Sequence, residues 1–478
     1  MIRITISKDI PENNSLVLLA TVESGFKNVG LSGEEIQYVK TQMVAKLEHI
    51  ALNKGGRWIF VQPVDLTGTA TKEMEKLRRS AAKLHLGITQ QKIQSLTIVD
   101  LVGNAALACA FAEGMALSNY QFLKYTGKKA EKQHSLLELT IVRTVEPSEA
   151  DRLNFVLESV YKTRDLVNEP ANMMTPVRFA AEIEAMGKEA GFDVQVFDKV
   201  AIEKMKMGGI LAVNRGSTEA PTFSILEWKP ATAKNERPVV LAGKGITFDT
   251  GGHNLKADDH MSDGMKGDMA GGAAVAATIY AVAMSKLPVH VVGLVPSTDN
   301  RLSPDACSPG DIITMYDGTT VEVMNTDAEG RLILADALAY AKQYNPELLI
   351  DMATLTGSAQ RALGEQAIAM MGNAPCETME RLKNCGESVH ERLVEFPLWE
   401  EYAEYLQSDI ADLKNVGGEF AGMITAGKFL EHFTAYPYIH LDIAGLAFAK
   451  ETSSYRGKGG TGVGVRLLFE FLKNYKNE

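Results

Sequence analysis

Short hydrophobic runs divide the first part of the chain into strand-like and helix-like segments. Strand-like runs occupy residues 2–6, 16–22, 58–61, 95–99 and 137–142, and helical patterns lie between them, the clearest beginning after Gly103. Strands that alternate with helices favour an α/β domain whose sheet is mainly parallel. We therefore predict a smaller, N-terminal α/β domain over residues 1–148.

A long amphipathic helix is predicted next. Residues 149–167 carry apolar side chains at three- and four-residue spacing, including Leu153, Val156, Leu157 and Val160. Pro170 ends this pattern because proline has no amide hydrogen for the helix ladder. We predict that residues 149–170 form a helix linking the first domain to a second one over residues 171–478.

The second domain contains four nearly continuous apolar runs, at residues 239–242, 289–295, 348–352 and 438–443. Runs of this kind are typical of parallel strands that are buried on both faces by helices. Helical patterns lie at residues 180–190, 271–286 and 331–342. The predicted fold is therefore α/β with two domains, the larger C-terminal one built on a central, mostly parallel sheet flanked by helices. Ligands of such sheets bind beyond the carboxyl ends of the strands.

Composition narrows the class of protein. The chain has 478 residues and a net charge of −11, which weighs against a main role in coating nucleic acid. Its four cysteines include no CxxC pair, as expected for a reducing compartment. The N-terminus lacks a signal-like apolar segment, and no window holds the roughly 18 uninterrupted apolar residues of a membrane helix. We expect a soluble, cytoplasmic protein with no membrane partner.

Four carboxylates stand in loops that follow predicted strands: Asp249, Asp268, Asp327 and Glu329. Asp327 and Glu329 lie in the turn 325–331, between apolar residues, where two anions repel unless a cation compensates them. A divalent metal is the simplest compensation, and four carboxylates suffice for two metals when one of them bridges. The alternative is structural: Asp327 would cap the following helix, and Glu329 would be favoured in its first turn by the helix dipole.

Five segments resemble one known family. The turn Asn-Thr-Asp-Ala-Glu-Gly-Arg at 325–331, together with segments 243–252, 268–274, 353–357 and 440–445, is similar to the leucyl aminopeptidases, the two-metal hexameric cytosol aminopeptidases. The resemblance covers about residues 160–475. It implies a catalytic C-terminal domain that removes N-terminal residues, Leu and other apolar ones above all, from peptide substrates. It also implies a homohexamer.

The resemblance assigns roles to individual residues. One metal would be bound by Lys244, Asp249, Asp268 and Glu329, and the other by Asp249, Asp327 and Glu329. Zn or Mn is expected, with Mg or Co as alternatives. Lys256 would polarise the scissile carbonyl or its oxyanion, and Arg331 would hold a bicarbonate that acts as general base. The substrate's first side chain would be bound by Met265, Asn325, Ala328, Thr354, Leu355 and Gly357.

The chain departs from the family pattern after Lys256, where one additional residue separates this lysine from Asp268. The altered loop contains His260, and His253 precedes Lys256. Either histidine could touch substrate or metal, but a solvated loop histidine is the favoured interpretation.

Two rival functions are compatible with parts of the pattern. Clustered carboxylates also suit a two-metal hydrolase of another bond, such as a phosphoesterase. A scaffold or nucleic-acid-binding accessory role is the non-enzymatic rival, and the negative charge weighs against it. Residues 422–428 resemble a phosphate-binding loop, but Phe429 stands where that motif needs Ser or Thr, so we reject this match.

Overall fold

A computed structural model describes residues 2–142, 144–257 and 264–476. The chain forms two compact units, one comprising Met1–Glu158 with Thr452–Gly457, and the other Ser159–Glu451 with Lys458–Glu478. The helix α5 (Pro147–Asn168) passes from the first unit into the second. No helix in the described part of the chain is both long enough and apolar enough to cross a membrane.

The first unit contains a six-stranded sheet in the order β1-β6-β5-β2-β4-β3. Its strands are β1 (Arg3–Ser7), β2 (Ser15–Ala20), β3 (Ile50–Lys54), β4 (Arg57–Pro63), β5 (Ser95–Asp100) and β6 (Glu138–Val142). Its helices are α1 (Gly33–Val44), α2 (Ala70–Gln90), α3 (Ala105–Ser118) and α4 (Lys129–Lys132). All neighbouring strands are parallel except β3 and β4. Every residue of the central strand β2 is buried, as its apolar sequence requires.

The second unit contains a nine-stranded mixed sheet and two small sheets. The strands are β7 (Asp193–Phe197), β8 (Thr222–Trp228), β9 (Val239–Gly243), β10 (Gly245–Asp249), β11 (Val291–Asn300), β12 (Asp311–Thr314), β13 (Thr320–Val323), β14 (Leu348–Ala353), β15 (Ile368–Gly372), β16 (Leu393–Glu395), β17 (Leu413–Lys414), β18 (Tyr438–Asp442), β19 (Phe448–Ala449) and β20 (Gly459–Gly460).

The helices that the structure describes in this unit follow one another along the chain. They are α6 (Pro176–Ala190), α7 (Lys199–Met205), α8 (Gly208–Asn214), α9 (Ala270–Met284), α10 (Glu329–Tyr340), α11 (Gly357–Leu363), α12 (Cys376–Val389), α13 (Glu401–Glu404), α14 (Gly422–Glu431) and α15 (Val465–Lys473). Short 3₁₀ segments occupy Met265–Gly267, Ala341–Tyr344 and Ser454–Arg456, the last of them in the first unit.

The four apolar runs become the centre of the large sheet. Strands β18, β14, β9 and β11 lie side by side in this order and are parallel, and every residue in them is buried. The predicted α/β class, with a mostly parallel central sheet flanked by helices, is therefore confirmed. Towards the edges the sheet becomes antiparallel, through β8 on one side and β15 on the other, a feature that the sequence pattern did not predict.

Helix α9 packs unusually close to this sheet. Its first fourteen residues are all buried and most are Gly or Ala. A Cβ atom on Gly271 would lie 2.0 Å from the carbonyl oxygen of Met352 in β14, so only glycine permits this approach. The amide of Gly272 donates to the carbonyl of Lys244, 2.8 Å away. The start of α9 is thereby fixed against the loop that follows β9.

The rejected phosphate-binding match is a helix in the structure. Residues 422–431 form α14, and the Lys428 ammonium lies 2.7 Å from Oε1 of Glu400 and 2.7 Å from Oε2 of Glu431. This lysine is thus an internal ion-pair partner. Residues 460–464 lead into α15.

Candidate metal centre

Three carboxylates from separate segments converge at the carboxyl ends of the central strands. Asp249 ends β10, Asp268 precedes α9, and Glu329 is the first residue of α10. One oxygen of each lies within 4.8 Å of the others, and all three side chains are buried. The structure thus brings together three of the predicted metal ligands, at the edge of the sheet where the topology of α/β folds places ligands.

Lys244 lies among these carboxylates. Its Nζ atom is 2.8 Å from Oδ2 of Asp268 and 2.9 Å from Oε1 of Glu329, and it donates to the carbonyl oxygen of Thr354 at 2.8 Å. Burial acts to lower the pKa of Lys244, but the neighbouring Asp268, Glu329 and Asp249 outweigh it and raise this pKa above its ordinary value. Lys244 is therefore part of the cluster, as predicted, and is not a surface lysine.

Lys256 and Asp327 complete the cluster. The Lys256 ammonium lies 2.7 Å from Oδ2 of Asp249 and forms a second, shorter ion pair with Asp327. Burial, together with the charges of Asp249 and Glu329, raises the pKa of the Asp327 carboxyl to about 7. All four acids and both lysines singled out in the sequence thus lie in one site, despite the altered spacing after Lys256.

The structural alternative for Asp327 is wrong. Helix α10 begins after Ala328, and no side chain caps its amino end. The turn is held differently, since Oδ1 of Asn325 accepts from the amide of Asp327 at 2.8 Å and the Thr326 hydroxyl donates to the carbonyl of Gly251 at 2.7 Å. The Asp327 carboxylate is therefore free of a capping role and is directed to the cluster.

Neighbouring polar groups orient the carboxylates. The side-chain Nδ2 of Asn300 donates to Oδ1 of Asp249 at 2.8 Å and to the carbonyl of Thr326 at 3.0 Å. The Thr354 hydroxyl donates to Oδ1 of Asp268 at 2.7 Å. Each bond occupies one oxygen of a carboxylate and leaves the other facing the cluster, which is how groups around a metal site orient its ligands.

Arg331 lies buried in the first turn of α10. Its Nη1 donates to the carbonyl oxygen of Asn415 at 2.7 Å, while its buried Nε has no hydrogen-bond partner among the described residues. Burial lowers the pKa of Arg331 to about 10, against the opposing effect of Glu329 and Asp442. Within the described segments Arg331 forms no ion pair with Glu329. The hydrogen bond to the Asn415 carbonyl, and not an ion pair with its near neighbour in sequence, therefore holds the guanidinium.

The predicted substrate residues surround the cluster in different ways. Thr354 contacts Asp268 and Lys244, and the amide of Leu355 donates to Oδ1 of Asp442 at 3.1 Å. Asn325 and Ala328 belong to the turn that carries Asp327. Met265 lies in the 3₁₀ segment before Asp268, and Gly357 is the first residue of α11. Their assembly into one side-chain pocket stays a prediction.

The two loop histidines have different outcomes. His253 Nδ1 lies 2.8 Å from the carbonyl oxygen of Cys307, so its ring is engaged by the backbone of another loop. His260 lies outside the described residues.

Sequence reasoning missed two asparagines that support the site, Asn300 and Asn415. Asn300 had a usable signal, because it ends a polar segment, residues 297–300, that closely follows the apolar run 289–295. Asn415 had none, since it is 84 residues from its partner Arg331 and follows a strand of only two residues.

The cluster fits divalent cations. The buried Oε2 atom of Glu329 has no hydrogen-bond partner in the part of the chain that the structure describes. Four carboxylates and an amine are donors of the kind that Zn, Mn, Mg and Co accept. Gly330 adds a steric requirement, because a Cβ atom there would lie 2.5 Å from Cε and 2.7 Å from Nζ of Lys244.

Comparison with known proteins identifies the family. Residues 161–469 match the family model described as the cytosol aminopeptidase family, catalytic domain. The chain belongs to the cytosol aminopeptidase family. A probable cytosol aminopeptidase of Chlorobium limicola is 42% identical over 430 residues, which span 84% of this chain and 84% of that protein. Membership of this family also shows the class of activity, and the chain is a metallo-aminopeptidase.

Two solved structures share the fold. A mutant of tomato leucine aminopeptidase superposes with a TM-score of 0.86 at 27% identity, covering 99% of this chain and 97% of that one. The bottromycin maturation enzyme BotP in complex with Mn gives a TM-score of 0.84 at 29% identity, covering 97% and 99%. The family's fold therefore extends over nearly the whole chain, beyond the part that the family model matches.

The packing of Gly330 against Lys244 gives a first prediction. In Gly330→Ala the added methyl displaces the lysine side chain, so we expect metal affinity to fall about 10- to 100-fold, as when other supports of a metal site are lost. Metal retained after dialysis, measured by elemental analysis, checks this. Gly87→Ala is the control, because a Cβ there meets nothing within 4 Å. Metal retention equal to that of the unaltered protein would contradict the arrangement.

Proposed function

We propose that this protein removes N-terminal residues, Leu and other apolar residues in particular, from peptides in a reaction that depends on two divalent metal ions. The cluster of four carboxylates, three of them buried, and two lysines is the observation that carries the proposal. The family supports the reaction class. The names of the family and of its relatives also support a location in the cytosol.

The cluster offers two overlapping ligand sets. Lys244, Asp249, Asp268 and Glu329 would hold one ion, and Asp249, Asp327 and Glu329 the other, with Asp249 and Glu329 shared. The Mn bound by the structural relative BotP supports Mn, and Zn suits the same donors; Mg and Co are the alternatives. When bound, the ions would supply Lewis-acid activation of water and of the scissile carbonyl, and would bind the free amino group of the substrate.

Lys256 would stay protonated and act on the substrate carbonyl. Its ammonium is held between Asp249 and Asp327, and both anions raise its pKa although burial lowers it. A cation fixed there stabilises negative charge that develops on the carbonyl oxygen. Its side chain is 16% exposed, compared with 3% for Lys244, so of the two lysines it is the one open to a substrate.

Arg331 would hold a bicarbonate, which would serve as general base. One of its donors is engaged by Asn415, and its buried Nε is without a partner among the described residues. A buried N–H of this kind favours an acceptor, and a guanidinium binds carboxylate-like anions with paired, charge-assisted hydrogen bonds. The arginine itself keeps its proton, since its pKa of about 10 lies well above neutral pH.

Activity on a panel of aminoacyl amides tests the function. We expect cleavage with Zn, Mn, Co or Mg, loss on chelation and recovery when metal returns, because the ligands are acids that need a cation. Leu and Met amides should be the best substrates. The pocket for the first side chain would be lined by mostly small or apolar residues, namely Met265, Ala328, Thr354 and Gly357. Full activity in protein shown by elemental analysis to lack metal would refute the mechanism, and a preference for acidic N-termini would refute the pocket.

The role of Arg331 can be separated from metal binding. Arg331→Ala should leave metal stoichiometry unchanged and lower turnover by roughly 10²- to 10⁴-fold, the range for lost acid–base assistance. Added bicarbonate should stimulate the unaltered enzyme and stimulate the variant much less. Loss of metal from the variant would show instead that the arginine supports Glu329.

We also propose a homohexamer, as in the family. Large apolar side chains on the second unit are strongly exposed, among them Trp399 at 63%, Ile410 at 63% and Phe420 at 75%. Exposed apolar groups of this size are typical of surfaces that another subunit covers. Light scattering should give about six times the chain mass of 52.0 kDa. A stable monomer at working concentration would contradict this.

A further inference from the structure

Asn415 is a fully buried polar residue beside the site, with 0% of its surface exposed. Its Oδ1 accepts from the amides of Met324 and Asn325, at 2.9 and 3.3 Å. Its Nδ2 donates to the carbonyl of Asn325 at 2.7 Å. The carboxamide therefore makes three hydrogen bonds with the backbone at the start of the turn that carries Asp327 and leads into Arg331.

The main chain of Asn415 is fixed as well. Strand β17 pairs in parallel with β13, with Lys414 opposite Glu322, and the amide of Asn415 donates to the carbonyl of Glu322 at 3.1 Å. The amide of Lys414 donates to the carbonyl of Leu406 at 2.7 Å. With its amide and its side chain both bound, Asn415 has one remaining polar group, its carbonyl oxygen, and that oxygen accepts from Nη1 of Arg331.

This contact determines how the guanidinium is presented. An arginine side chain has several freely rotating bonds, so burial alone leaves more than one orientation of its planar head. A fixed acceptor at Nη1 restricts that freedom and favours one direction of Nε, which has no partner among the described residues. The carboxamide's hydrogen bonds go to Met324 and Asn325, and they hold in place the residue whose carbonyl accepts from Arg331.

We propose that Asn415 is a positioning residue for catalysis, which acts by holding its carbonyl oxygen against Arg331 so that the remaining donors of the guanidinium face the reacting groups. This inference rests on the proposed role of Arg331 as holder of the general base. It assigns to Asn415 an effect on turnover and on the bicarbonate response, with none on metal content.

A second buried asparagine provides a matched control. Asn235 is 5% exposed and its side chain also makes three hydrogen bonds with backbone, to Arg237 and twice to His290. It lies before Val239, at the end of β9 opposite to Lys244. Truncating Asn235 removes the same number of buried hydrogen bonds from the same unit without touching the site.

The experiment compares Asn415→Ala, Asn235→Ala, Arg331→Ala and the double variant Asn415→Ala/Arg331→Ala. For Asn415→Ala we expect kcat to fall about 10- to 100-fold, the scale of misplaced catalytic groups, with weaker bicarbonate stimulation and unchanged metal content. Asn235→Ala should lower resistance to denaturant and leave kcat and the bicarbonate response unchanged. In the Arg331→Ala background, removing the Asn415 carboxamide should have little further effect on kcat, because the two residues act through one contact.

Several results would overturn the proposal. Behaviour of Asn415→Ala like that of Asn235→Ala would make Asn415 a purely structural residue. An equal loss of kcat with and without Arg331, or a loss of metal, would show that it acts through the Asp327 turn. If Asn415→Ala does not fold, Asn415→Ser, which keeps a hydroxyl acceptor, replaces it in the same comparison.

The unaltered protein separates this inference from the function on which it rests. If the unaltered protein is active and responds to bicarbonate, but the effects of Asn415→Ala and Arg331→Ala on kcat simply add, only the role of Asn415 fails. If it shows no turnover with any metal, or no bicarbonate response, the proposed function of the site fails and the role of Asn415 falls with it.

Discussion

The mutual repulsion of four clustered carboxylates, three of them buried, is the constraint on which the catalytic unit depends. Asp249, Asp268 and Glu329 are buried, and Asp327 joins them with a side chain that is 33% exposed. Carboxylates held this close together are unfavourable without cations. Two lysines supply part of the compensation. Removing one partner of a buried ion pair typically costs about 3–5 kcal/mol, so the loss of either lysine or acid disturbs the remaining members.

The sheet makes this concentration of charge possible because its strands hold the backbone of these residues in fixed positions. Lys244 follows β9 and Asp249 ends β10, while Thr354 follows β14, so three strand ends deliver groups to one edge. The glycine-rich start of α9 then lets Asp268 approach, since Gly271 touches the backbone of β14 and Gly272 bonds to Lys244. The rigid strands and helices thus hold these like charges close together despite their repulsion.

Local pattern predicted the centre of the fold and singled out the four acids, and the resemblance to a family pointed to Lys244, Lys256 and Arg331. Neither revealed where distant segments meet. The parallel core strands were evident because each is a continuous apolar run, and Asp327 and Glu329 because two acids in an apolar context need an explanation. The antiparallel direction of β8 was not evident from its sequence, since the direction of a strand depends on the path of the chain. Asn415 could not be found from its own segment: its importance comes from a carbonyl oxygen, a group that every residue possesses.

The loop around Lys256 shows how a departure from the family pattern is accommodated. Gly251 and Gly252 have positive φ angles of 87° and 63°, which turn the chain back so that the Lys256 amide donates to the carbonyl of Thr250 at 3.0 Å. A Cβ atom on Gly251 would lie 2.8 Å from Oδ1 of Asp327, so the turn also leaves room for the lysine's partner. The additional residue falls after Lys256, between that turn and Asp268. Because the lysine is fixed from its amino-terminal side, the longer connection leaves its ion pairs with Asp249 and Asp327 in place.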